Sequence, residues 1–242
     1  MKYRQDPDLE FLKECTSEDL NILVEVLLHN KDGQPRSIVQ LPNHTLYKQF
    51  APNHASYWEV IAGEIQRYGS NPLAALARAG RGKHYFKILG DVCGRFSVSY
   101  NPDASVEVIE RTLYVALFSR AIPRIPTAEL QVTADAFGIK PPALNAQAIV
   151  QALHEAMQLD DMTSYLLSLV VAHGSAMSAS NVGYKSIAPE KMHAVLDIFQ
   201  KPLGIEFESV SPLSFTGSAH WIVIPVVVQL ACLRAKKNAE KA

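Results

Sequence analysis

The chain has 242 residues, 48% of them hydrophobic and 19% charged, with a formal net charge of −1, a pI near 6.7 and a mean hydropathy of +0.02. That balance supplies a core for one domain, or for one plus a small appendage, and it is not the basic composition of a dedicated nucleic-acid binder. The opening "MKYRQDPDLEFLKEC" has no apolar stretch like that of a secretory signal, and Cys15, Cys93 and Cys232 show no C-x-x-C spacing, so reduced, buried thiols in a cytoplasmic protein are expected.

Residues 1–38 read as a small helical unit of their own. "DPDLEFLKEC" makes a short helix with Pro7 in its first turn. "TSEDLNILVEVLLHN" opens with Thr16-x-x-Asp19, a capping-box-like start, and Leu20, Leu23, Val24, Leu27 and Leu28 share one helical face. "NKDG" stops that helix, and the prolines of "QPRSIVQLPNH" mark a linker. Two short helices bury little surface alone, so this acidic unit is expected to lean on the remainder.

Residues 44–242 read as helical almost throughout. Trp58, Ile61, Ala62, Ile65 and Tyr68 form a stripe ending at Gly69, which stands where a C-terminal cap belongs. Tyr85, Ile88, Leu89, Val92 and Phe96 repeat the pattern, and Ser105 stands where it would cap a helix facing inward with Val106, Ile109, Leu113, Ala116 and Leu117. Pro123 and Pro126 break the chain, and further helices are expected over 127–137, 145–158, 161–174 and 189–203. Between the last two, "HGSAMSASNVGYKS" reads as a loop, and Ile205 and Phe207 hint at one short extended segment. The expected fold is all-α, a multi-helix bundle with a small N-terminal helical appendage.

Catalytic and metal patterns are not found in the sequence: no H-E-x-x-H, no G-x-S-x-G, no zinc-spaced cysteines. His154-Glu155 and Asp160-Asp161 read as a solvated face and a helix cap, and His173 as a core or helix-end histidine. "RAGRGKHY" fails as a phosphate loop, because Ala77 stands where the first glycine is needed and His84 where Ser or Thr is needed. What remains is a basic cluster, Arg67, Arg78, Arg81, Lys83, Lys87 and Arg95, with Asp91 among them. It reads either as a docking patch for anions or as a basic solvated face, and the acidic N-terminal unit is a further candidate to meet it. No cofactor is expected.

The stretch "WEVIAGEIQRYGSNPLAALARAGRGKHYFKILGDVCGRF" resembles the central motif of the YaaW-like proteins, an uncharacterised bacterial family grouped with the ubiquinol–cytochrome c chaperone domain. Ile61, Ala62, Gly63, Glu64, Gln66, Tyr68, Gly69, Arg78, Gly80, Tyr85, Ile88, Leu89, Asp91 and Val92 fill its places. The stretch from Tyr3 to Arg36 looks like the short domain that often precedes it, and "TGSAHWIVIPVVVQLACLR", with Pro225 and Arg234, looks like its closing signature. The resemblance implies chaperone-like binding of another protein, in the manner of helical assembly factors that hold a newly made membrane subunit. It carries over no catalytic residue.

The closing run from Trp221 to Leu233 has Gln229 as its one polar residue, and is shorter than the ~20 residues that a bilayer span needs. Pro225 suits a first turn, and Arg234, Lys236 and Lys237 suit a last turn. A buried core helix is the leading reading, ahead of a membrane-surface element and a true span. The expectation is therefore a non-catalytic protein-binding module that takes an apolar or membrane-destined segment. Its alternative is a peripheral membrane protein that uses the basic cluster and the C-terminal run. Glu64 is expected to bridge to Arg78 or a neighbouring base on the next helix.

Overall fold

A computed structural model describes residues 3–69, 82–200 and 220–242, with backbone alone for His220 and Trp221. Among them are ten α-helices, and the one extended pairing is an isolated bridge from His29 to Pro35. The helices are α1 (Ser17–Leu28), α2 (Thr45–Phe50), α3 (Trp58–Tyr68), α4 (Tyr85–Arg95), α5 (Val106–Ala121), α6 (Thr127–Phe137), α7 (Ala146–Leu159), α8 (Asp161–Ser180), α9 (His193–Ile198) and α10 (His220–Ala239). The all-α expectation holds.

The bundle is built around α10. Its residues Ile222–Ile224, Val226–Val228 and Leu230–Leu233 are all buried, and it packs along α8 more extensively than any other helix pair does. α1, α3, α4 and α5 complete the wall around it. The apolar tail is core, and no helix among the described residues is long and apolar enough to cross a membrane. Leu20, Leu23 and Leu27 of α1 are buried in the same hydrophobic cluster, so the N-terminal helix covers one flank of α10. Asp19 closes the capping box with Thr16 at 2.9 and 3.1 Å and pairs with Lys236 at 2.5 Å and Lys237 at 3.1 Å. Burial would raise its pKa, but these contacts from Lys236, Thr16 and Lys237 outweigh it and carry the carboxyl down to about 2.

Several local expectations are corrected. "HGSAMSAS" is helical, because α8 continues to Ser180. Ala172, Ser175, Ala176 and Ala179 are small and buried, which admits close neighbours, and Ser178 satisfies its hydroxyl on the Gly174 carbonyl at 2.8 Å. Packing here overrides weak helix propensity. Pro225 lies inside α10 rather than in its first turn. Ser105 is extended at the start of α5, but its side chain makes no capping hydrogen bond there. Only Glu190–Met192 and α9 are helical in the described part of 189–203, while Ile205 and Phe207 lie outside the described residues.

Gly69 ends α3, as expected, but with φ −68°, so left-handed freedom is not the reason for glycine. A Cβ there would come within 2.4 Å of Ile88, so its absence lets α3 and α4 pack closely. Gly82 works likewise, since a Cβ would lie 2.9 Å from the backbone carbon of Gln66. Asp160 caps α8 through the Met162 and Thr163 amides, and His154 and Glu155 are exposed.

Candidate functional site

Three residues of the central and closing motifs meet in one buried polar cluster. Gln66 comes from α3, Tyr85 from the first turn of α4 and Arg234 from α10. Two acids join them. Glu110 of α5 accepts the Tyr85 hydroxyl at 2.6 Å and Arg234 Nε at 2.8 Å. Asp6, from the segment before α1, accepts the Tyr85 backbone N–H at 2.7 Å and Gln66 Nε2 at 3.2 Å. Arg234 also donates to the Asp8 carbonyl at 2.5 Å and lies 4.1 Å over the Phe11 ring.

Asp6, Gln66, Tyr85 and Glu110 are at most 2% exposed, and Arg234 is 7% exposed. Burial pushes the Glu110 carboxyl up, opposed by the adjacent guanidinium and the Tyr85 hydroxyl. Burial likewise raises Tyr85, which stays a donor, while Glu110 opposes the burial effect on Arg234 and holds its cation. A cleft of about 20 Å³ beside this cluster, bordered by Arg111 and Asp161, has room for about one water. Among the described residues the cluster ties five segments together.

Glu64 is fully buried on α3 and pairs with Arg67 one turn on, at 2.5 Å, while the expected bridge to Arg78 falls outside the described residues. Glu64 also accepts the Gln40 amide at 2.9 Å, and Arg67 donates to the Ile38 carbonyl at 2.7 Å. The pair therefore fastens the linker to α3. Arg78, Arg81 and Gly80 lie outside the described residues. Of the other basic residues, Lys83 pairs with Asp91, while Lys87 and Arg95 are exposed. Gly63 is buried within α3.

An open groove of about 660 Å³ lies between the N-terminal segment and the start of α3. Tyr3, Leu46, Trp58 and Val60 give it an apolar lining, with Tyr3 edge-on to Trp58 at 5.5 Å, and Glu10, Lys13 and Glu59 also border it. Leu46 is 37% exposed. Nothing in the helical periodicity pointed to this groove, because Tyr3 and Trp58 lie far apart in sequence.

Residues 3–37 match a family described as a domain of unknown function, DUF3944. A UPF0174 protein of Helicobacter pylori is 32% identical over 238 residues, which cover 98% of this chain and 94% of that protein. The chain belongs to the UPF0174 family. The UPF0174 protein YaaW of Escherichia coli K12 is 28% identical over 99% of this chain and 98% of its own length. A second H. pylori UPF0174 protein, 26% identical, matches 83% of this chain over 99% of its own length. No solved structure matches this UPF0174 chain.

Sequence reading of this UPF0174 chain missed Asp6, Glu110 and Arg36. Glu110 had a signal, an acid set between Ile109 and Leu113 on an inward face. Arg36 is 7% exposed and donates to Val26 O at 3.2 Å and Ala179 O at 2.8 Å, carbonyls near the ends of α1 and α8. Burial lowers its pKa to about 10, and cations suit helix C-termini.

Proposed function

We propose that this UPF0174 chain is a non-catalytic, chaperone-like protein-binding module of the cytoplasm, and that the Tyr3–Trp58 groove takes an apolar segment of another protein. The groove carries this reading: half-buried aromatic rings beside an exposed leucine, bordered by charges of both signs, are the composition of a peptide-binding surface. The titratable groups support it too. Burial drives the Cys15 and Cys232 thiols up to about 12 and Cys93 up to about 11, which keeps them protonated and unreactive. Asp6, Asp19, Glu64 and Glu110 are each engaged by partners within the fold. The peripheral-membrane reading keeps Lys87 and Arg95, but not the closing helix, whose cations face Glu110 and Asp19.

A photo-crosslinking residue at Leu46, incubated with an apolar model peptide, tests the groove, with Leu159 as control because it is 89% exposed elsewhere. Crosslinking at position 46 and not 159, lost on Trp58→Ala, is the expected result. Equal crosslinking at both positions means general stickiness and overturns the proposal.

A further inference from the structure

The segment from Tyr3 to Asp8 is held in the manner of a docked peptide. Gln66 grips the backbone of Arg4 at both ends, accepting its N–H at 2.9 Å and donating to its C=O at 2.8 Å. This two-pronged amide contact reads no side chain. The Asp6 carboxylate then sits on the open N-terminus of α4, bonded to the Tyr85 N–H and Gln66, with His84 Nδ1 at 3.4 Å. Arg234 takes the Asp8 carbonyl.

The segment also holds its own shape. The Tyr3 hydroxyl donates to Asp6 O at 3.2 Å and accepts the Asp6 N–H at 3.1 Å, and the Asp8 N–H donates to Asp6 Oδ1 at 3.2 Å. It is a pre-formed carboxylate-bearing turn, recognised through one acid and its backbone. Leu9 and Leu12, just beyond it, are the first fully buried apolar anchors. Two H. pylori relatives match 83% of this chain over 98–99% of their own length, so family members exist that do without about a sixth of it. The N-terminal 3–37 region matches a family of its own.

We propose that Gln66, the N-terminus of α4 and Arg234 form a cradle for a short carboxylate-bearing turn of a partner protein, and that residues 3–8 are its built-in, displaceable occupant. The fitting ligand carries an aspartate, a free backbone N–H and C=O two residues before it, and a carbonyl two residues after it. The tethered strap competes at an effective concentration on the order of millimolar, so partner binding waits on strap release. The inference goes beyond the apolar groove and does not depend on it.

The probe is a fluorescent synthetic peptide of residues 1–8 added to the full chain. The Asp6→Ala chain, whose own strap lacks the carboxylate, is expected to bind the peptide at least about tenfold more tightly than the parent does. A peptide carrying Asp6→Asn should not bind, and adding Gln66→Ala to the Asp6→Ala chain should abolish binding. An Asp6→Ala chain that melts like the parent but binds the peptide no better overturns the proposal. Hydrogen exchange on the parent decides the matter if that variant does not fold. Strap amides should exchange at least about a hundredfold faster than those of α1, the mark of local release. Equal rates would show that the strap opens only with the whole molecule, and overturn it.

Discussion

From Ile222 to Leu233, α10 is a buried apolar rod whose polar side chain, Gln229, is satisfied by the Tyr184 hydroxyl at 2.5 Å and the Ala172 carbonyl at 3.0 Å. From Arg234 onward the same helix carries three cations, each paired with an acid more than a hundred residues away: Glu110 for Arg234, Asp19 for Lys236 and Lys237. The first part supplies area removed from water, which is large and indifferent to partner identity. The second supplies charge pairs that are costly unless matched, and so fixes which segments meet the end of the helix. One stretch gives cohesion, the other gives register.

That contrast is sharpest at Arg234. Arg234→Met keeps the bulk but leaves Glu110 buried without its cation, and should cost about 3–5 kcal/mol in chemical denaturation. Adding Glu110→Gln, which keeps an acceptor for Tyr85, should restore most of the loss. A single variant as stable as the parent would mean that the charged end does not fix which segments meet there.

A buried histidine beside the apolar half carries pH dependence above about pH 4, whereas Asp19 at the charged end carries it below. His173 of α8 is 1% exposed, and its Nδ1 accepts the Tyr184 N–H at 3.0 Å, which assigns the proton to Nε2. Burial lowers its pKa to about 4, so the folded state binds its proton less readily than the unfolded chain, where it titrates near 6.5. Its contribution is complete above pH ~6.5 and is lost as pH falls toward about 4, a change on the order of 2–3 kcal/mol. His54, lowered by burial as well, adds in the same direction. Melting temperatures of His173→Gln across that window should fall less steeply than those of the parent. Parallel curves would remove His173 from the account.

The smallest effect belongs to the capping box. Asp19→Ala removes the Thr16 contact and the Lys236 and Lys237 pairs together, and should cost about 1–2 kcal/mol. The loss should shrink in high salt. A salt-independent loss would assign the whole effect to the cap.

The elements most legible in the sequence are those decided locally. Thr16 and Asp19 lie within one turn, and the helix expected over 127–137 runs between those residues, bounded by Pro126 and Gly138. Gln66, Tyr85 and Arg234 were visible only as motif places. Their meaning needed Asp6, 60 residues from Gln66, and Glu110, 124 residues from Arg234, and no periodicity encodes such pairs. The end of α8 failed for the opposite reason: its serines and glycine speak locally for a loop, while its burial speaks for a helix.

Pairing Arg234 with Asp8, and Lys241 with Glu14, has a consequence for how the chain is made. α10 leaves the ribosome after every other described helix, yet it is the rod on which α1, α3, α4, α5 and α8 pack. Until then the leucines of α1 and the seam of α8 have no permanent cover. Contacts spanning more than two hundred residues also make closure slow. The nascent chain therefore exposes, for most of its synthesis, the kind of apolar surface that general chaperones recognise, and a premature stop before residue 220 releases a polypeptide fit for degradation.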